Sequence, residues 1–267
     1  MSVSSSDTAI WLRRFGAVAG PRQRLVCFPH AGGSAGVFRG WRRGLPADVE
    51  LLAVRYPGRE DRIREPFVED MNEMAGEIAE QLAPLLDSGL VLFGHSMGAD
   101  LAFEVALRLE ENHGRPPAML VVSGSGGPGT NNRDLPDDDD ESVVDFAKSL
   151  DGVNSAAYED KDLRPLLLPA LRADLRMIRN YSPRPGRTIN CPLSIYVGYS
   201  DPDVTISEAH AWSHASVGGS SIKVFPGGHF YLVDSEPELL DDLSARLREV
   251  RAADTTVAAA PRRSSAT

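Results

Sequence analysis

The chain has 267 residues, enough to bury a substantial core, and a length that suits one domain of the α/β class. With 42% hydrophobic and 25% charged residues it has the composition of a folded globular protein, not of a disordered or collagenous one. A formal net charge of −10 opposes binding to phosphate backbones, which excludes nucleic acid as an expected partner.

Residues 1–9 carry no basic segment followed by an apolar stretch, and they read as unstructured. No apolar run approaches the roughly 18 residues that a membrane span needs, so no membrane contact and a cytoplasmic location are expected. Apolar runs rich in β-formers stand at 25–28, 51–54, 90–93, 119–122, 193–197 and 222–225, each bounded by Gly, Pro or polar residues. They read as strands. Between the second and third, Met71, Met74, Ile78, Leu82 and Leu85 recur on one helical face, behind Asp70 and Glu73 in capping-box spacing. After the third, Leu101, Val105 and Leu109 mark another helix; Ser235 and Glu238, with Pro237 in the first turn, mark a last one.

Continuous apolar strands alternating with amphipathic helices imply a parallel sheet covered on both faces. Two segments interrupt the alternation. The stretch 124–185 opens Gly-rich, turns acidic over 137–141, and then becomes too apolar at 163–181 for a solvated loop. It should fold into helices, either a core pair or a lid over a pocket, as an insertion at about 130–185. The end of the chain, 252–267, is rich in Ala, Ser and Thr and reads as unstructured, leaving 10–251 as the domain.

Gly94-His-Ser-Met-Gly98 lies between the strand-like 90–93 and the helical 99–109. That is the strand–turn–helix context of a nucleophile elbow, with Ser96 at its tip; an ordinary serine in a strand-to-helix turn is the alternative. A serine hydroxyl needs a base, and the base an orienting carboxylate. Of the six histidines, His30, His95, His113, His210 and His214 read as packing or surface residues. His229 follows the run 222–225 and a Pro-Gly-Gly turn, on the sheet edge that should also carry Ser96. Asp201 follows the run 193–197 onto the same edge and falls between serine and histidine in chain order, with Asp203 as the alternative. Backbone donors for an oxyanion are expected at Met97, directly after the serine, and at Ala31 in the Gly-rich turn after the first long strand.

Only Cys27 and Cys191 occur, in no CxxC or Cys/His spacing, so neither a disulfide nor zinc is indicated, and both thiols should be buried and reduced. Asp203 and His210 lack further ligands at sensible spacing, so no metal and no cofactor are expected.

The segments Phe28-Pro-His-Ala-Gly-Gly, Arg55-Tyr-Pro-Gly-Arg-Glu, Phe93-Gly-His-Ser-Met-Gly-Ala, Asp201-Pro and Phe225-Pro-Gly-Gly-His-Phe-Tyr-Leu occur in this order. Together, over roughly residues 10–250, they resemble the type II thioesterases that accompany modular polyketide and nonribosomal peptide synthetases. That resemblance implies an α/β-hydrolase fold and an editing enzyme, which removes stalled or wrong acyl groups from the phosphopantetheine arm of acyl or peptidyl carrier proteins. Ser96, Asp201 and His229 match the family's triad, and Ala31 and Met97 its oxyanion donors. Residues 123–128 are small where many members carry larger ones, which bears on the size of the acyl chamber. The triad types alone would serve a general esterase or acyltransferase equally well, and an acyl-binding scaffold without catalysis is a further reading. Between Arg39 and Arg64 seven arginines (39, 42, 43, 55, 59, 62, 64) face four acids (Asp48, Glu50, Glu60, Asp61). Part of this set, Arg59 and Arg62 included, is expected either to rim the entrance and meet the carrier or to be plain solvated surface.

Overall fold

The computed structural model describes residues 10–130, 135–150 and 155–259. Seven strands form one sheet: β1 (Leu12–Arg14), β2 (Gln23–Phe28), β3 (Val49–Val54), β4 (Leu90–His95), β5 (Met119–Ser123), β6 (Leu193–Gly198) and β7 (Ser220–Phe225). Their order is β1-β3-β2-β4-β5-β6-β7, parallel throughout except for β1, which runs antiparallel to β3. The six strands expected from apolar runs are all present. β1 was not expected, because Leu-Arg-Arg has no apolar alternation to read. It is held at the edge by pairing of Leu12 with Val54 and by ion pairs from Arg13 to Asp61 and from Arg14 to Glu50.

Each central strand divides its side chains between two cores, as the two-residue period requires. Leu90 and Leu92 of β4 join the cluster under helices α1 (Met71–Leu82) and α2 (Met97–His113). Val91 and Phe93 join Phe38 and Trp41 of the 3₁₀ segment Ala35–Arg43 and Leu239, Leu243 and Leu247 of the last helix on the opposite face. Asp70 caps α1 by accepting from the amides of Asn72 and Glu73. The helix ends before Leu85, which falls in the 3₁₀ turn Ala83–Ser88, since Pro84 cannot continue the α ladder.

The β5–β6 connection holds α3 (Asp140–Ser149), α4 (Ser155–Glu159) and α5 (Arg164–Asn180). These helices have a small core of their own, made of Val143, Val144, Tyr158, Leu168, Leu171 and Leu175, while Met177 reaches the main cluster. After β6 come α6 (Ile206–His210), opened by a Thr205–Glu208 capping box, then α7 (Tyr231–Asp234) and α8 (Glu236–Ala259). Two expectations change here. The Ser235 hydroxyl donates to the Pro226 carbonyl and Glu238 pairs with Lys223, so the expected capping box at 235/238 gives way to tertiary contacts. Residues 252–259, expected to be unstructured, continue α8; residues 1–9 and 260–267 lie outside the described residues. No helix among the described residues is long and apolar enough to cross a membrane.

Candidate active site

Ser96 sits between the end of β4 and the start of α2 with φ 54° and ψ −123°, one of two non-glycine residues with positive φ among the described residues. Such a conformation is costly for an L-residue and persists where the surroundings enforce it. Here the two flanking glycines permit it. A Cβ on Gly94 would lie 2.0 Å from the Gly98 carbonyl oxygen, and a Cβ on Gly98 would lie 2.2 Å from the Phe28 carbonyl oxygen. Strand, turn and helix therefore cross at backbone contact, and the end of β2 is pressed against the start of α2. The Ser96 amide donates to the Ser123 carbonyl at 2.8 Å, which ties the turn to β5.

The same packing sets the start of α2 against the end of β2, from which the turn holding Ala31 leads. Met97 opens α2, so its N–H belongs to the first-turn amides that have no intrahelical acceptor. Ala31 lies in the turn after β2, closed by a 2.9 Å bond from the Gly33 amide to the His30 carbonyl, and it lines a cavity of about 440 Å³ together with Ser96 and His229.

His229 follows β7 and is fully buried. Its Nδ1 faces both carboxylate oxygens of Asp201, at 3.1 and 2.9 Å. Its Nε2 is buried and has no hydrogen-bond partner among the described residues. Asp201 also accepts from the amides of Asp203 and Val204, at 2.9 and 3.2 Å, so the loop after β6 presents the carboxylate with its backbone. Asp203 lines the cavity, but it is Asp201 that meets the imidazole.

The other histidines divide as their surroundings dictate. His113, His210 and His214 are exposed. His95, beside the elbow, is buried and shares Nδ1 with the Ser123 hydroxyl, which in turn meets the Tyr231 hydroxyl. His30 stands edge-on to Phe230 at 4.8 Å; burial first, then neighbouring His229 and Arg59, lower its pKa to about 3 and hold it neutral. Cys27 and Cys191 are free and buried, and burial raises the Cys27 thiol well above its ordinary value and Cys191 to about 12. Neither thiol is a nucleophile in waiting. Among the described residues no group of three or more His, Cys, Asp or Glu is placed to hold a metal ion.

The cavity wall opposite Ser96 is apolar and comes from the β5–β6 connection, through Phe146, Tyr158, Leu171, Leu175 and Ile178. The segment 163–181, open between core pair and lid, is thus both a small core and one side of the chamber. The small residues 123–128 do not line it. A Cβ on Gly124 would lie 2.6 Å from the His95 ring, and one on Gly127 2.4 Å from the Trp212 amide, so close packing and not chamber size demands them.

The arginine-rich stretch behaves differently from its charge count. Arg59 and Arg62 are 8% and 7% exposed and cannot meet a partner. Arg62 holds Glu65 and the Arg55 carbonyl and lies 4.0 Å over the Trp11 ring; Arg55 pairs with Asp61. Arg59 holds Asp174. Arg39, Arg43 and Arg64 are exposed.

Known proteins resemble this chain over most of its length. The thioesterase domain family matches residues 23–247. The thioesterase PikA5 of Streptomyces venezuelae is 38% identical over 249 residues, covering 92% of this chain and 89% of that protein. The type II thioesterase BorB from the borrelidin biosynthetic cluster superposes with a TM-score of 0.79 at 36% identity, over 89% of this chain and 98% of that one. YbtT, a type II thioesterase from the yersiniabactin NRPS/PKS pathway, superposes with a TM-score of 0.80 at 27% identity, over 90% and 99%. With an α/β-hydrolase sheet, a serine on a strained elbow and relatives that share nearly its whole length, the chain belongs to the thioesterase family and, within it, to the type II thioesterases of polyketide and nonribosomal peptide pathways.

Proposed function

We propose that this chain hydrolyses acyl thioesters from the phosphopantetheine arm of acyl or peptidyl carrier proteins, clearing stalled or mis-primed synthase modules. The observation that carries the reading is one cavity in which an elbow serine, a histidine bonded to an aspartate and an apolar wall face the same space. Ser96 Oγ attacks the thioester carbonyl while His229 Nε2 takes its proton, and Asp201 holds the Nδ1 proton and stabilises the imidazolium. The amides of Ala31 and Met97 receive the developing oxyanion. His229 returns the proton to the departing thiol, and the acyl-enzyme is then released by water through the same steps. A panel of acyl chains, each on free pantetheine and on a carrier protein, tests this. Editing requires measurable turnover of carrier-bound thioesters, fastest for acyl groups that a synthase cannot extend; turnover of oxygen esters alone would favour a general esterase.

The wall predicts where acyl preference is set. Leu171→Ala or Leu175→Ala lengthens the chamber and raises the rate on longer chains relative to shorter ones, at a stability cost of about 2 kcal/mol. Equal loss on all chains would assign these leucines to packing only.

With Arg59 and Arg62 buried, encounter with a carrier falls to Arg39 and Arg43. They lie on the exposed side of the segment whose Gly36 and Val37 line the cavity, and neither has an ion-pair or hydrogen-bond partner among the described residues. Charge reversal at either lowers kcat/KM on acyl-carrier substrate by about three- to tenfold at low salt and flattens the salt dependence, leaving small acyl-pantetheine substrates unchanged. Equal loss on both substrates would remove these arginines from docking.

A further inference from the structure

We infer that Arg59 and Asp174 are positioning residues for the reaction: as a buried pair they orient the Ala31 amide by gripping the two residues that follow it. The inference rests on the functional reading above, in which that amide receives the oxyanion.

Arg59 donates from Nη1 and Nη2 to the two carboxylate oxygens of Asp174, at 2.6 and 2.7 Å. Burial disfavours the guanidinium charge, but the charge and hydrogen bonds of Asp174, with Tyr56 and Tyr158 adding to them, together outweigh it and raise the Arg59 pKa, so the guanidinium stays charged. Each partner then reaches the turn after β2. The Gly32 amide donates to Asp174 Oδ2 at 2.7 Å, and Arg59 Nη1 donates to the Gly33 carbonyl at 3.1 Å. The guanidinium also lies 5.2 Å from the centre of the Tyr56 ring, whose hydroxyl donates to the Pro29 carbonyl at 3.0 Å.

These bonds bear on one peptide plane. The His30 carbonyl and the Ala31 N–H belong to the same planar unit and point in opposite directions, so fixing one fixes the other. The His30 carbonyl accepts from the Gly33 amide, and Gly32 and Gly33 are the residues that Asp174 and Arg59 hold. Without the pair this Gly-Gly segment, with Gly32 at φ 71°, has no side chain of its own to define its dihedrals. A mere structural strut could be apolar, since buried ion pairs are often replaceable by packed hydrophobic residues. What an apolar replacement could not supply is one donor and one acceptor to this turn. Asp174 stands on α5, so the chamber wall and the oxyanion turn share a member.

The test compares the wild type with the double variant Arg59→Met/Asp174→Leu, which leaves no charge buried alone, and with Asp174→Asn, which retains an acceptor for Gly32 but not the two-point grip on Arg59. Four quantities are read: kcat and KM on a short acyl-pantetheine thioester, affinity for an alkyl boronic acid that forms a tetrahedral adduct on Ser96, affinity for the non-hydrolysable thioether analogue of the substrate, and active-site concentration by fluorophosphonate titration. Per active site, kcat and boronate affinity should fall together by about ten- to hundredfold in the double variant and by less in Asp174→Asn. KM and thioether affinity should stay within about threefold. The inference is overturned if the double variant keeps both kcat and boronate affinity, or if thioether affinity falls alongside them. A wild type that binds boronate but does not hydrolyse the thioester would defeat the functional reading alone, because the boronate comparison still decides the pair. A wild type that binds no boronate would overturn both.

Discussion

Replacing Ser96 by alanine is expected to lower kcat for acyl-pantetheine hydrolysis by about 10⁶-fold, the scale of loss when the nucleophile of a serine hydrolase triad is removed. Only substrate binding and the oxyanion donors would remain. The fold should persist. The elbow is imposed by the approach of Gly94 and Gly98 to neighbouring backbone and by the bond from residue 96 N–H to the Ser123 carbonyl, none of which involves the hydroxyl. The Tm should therefore stay within about 2 °C of wild type, while fluorophosphonate labelling disappears. Near-wild-type turnover in a folded, unlabelled variant would remove Ser96 from the mechanism and the acyl-enzyme with it.

Asp201→Asn should cost about 10⁴-fold in kcat, because an amide in place of the carboxylate no longer holds the Nδ1 proton or stabilises the imidazolium. The surroundings of Asp201 suit that role, since its side chain is fully buried and two backbone amides already point at it. Asp203→Asn should change kcat by less than about threefold, since it is the Asp201 carboxylate that faces His229 Nδ1, and the substitution retains the residue 203 N–H from which Asp201 accepts. The pair of variants is measured on one small thioester with active sites titrated. A large loss at 203 and a small one at 201 would move the acid to Asp203.

What could be read ahead of the structure was what neighbouring residues decide together. Central parallel strands are buried on both faces and so appear as unbroken apolar runs, and the elbow is written into five consecutive residues between a strand and a helix. Ser96, Asp201 and His229 could be read as one group because each follows a strand onto the same edge of the sheet; the structure lines one cavity with Ser96 and His229 and bonds Asp201 to that histidine. β1 escaped because three residues of Leu-Arg-Arg owe their place to Val54, Asp61 and Glu50, all distant in the chain. Arg59 was misread for the same reason: its local company is basic and suggests surface, whereas its partner is 115 positions away. The small residues at 124 and 127 likewise answer to His95 and Trp212, which no local pattern reveals.

The division of apolar mass among three clusters sets a hierarchy of local stability. The wall of the chamber, through Tyr158, Leu171 and Leu175, belongs to the small cluster shared by α3, α4 and α5, while the elbow and the strands beneath it belong to the large ones. Segments with few buried apolar partners open at lower free energy than those built into an extended core, as cooperative units of their own. Asp174 and Met177 fasten the second half of α5 to the body, which leaves α3 and the first turns of α5 as the unit that fluctuates. The chamber wall therefore opens by local unfolding, on a scale well below the free energy that unfolds the sheet, and the strained elbow at Ser96 outlasts each opening.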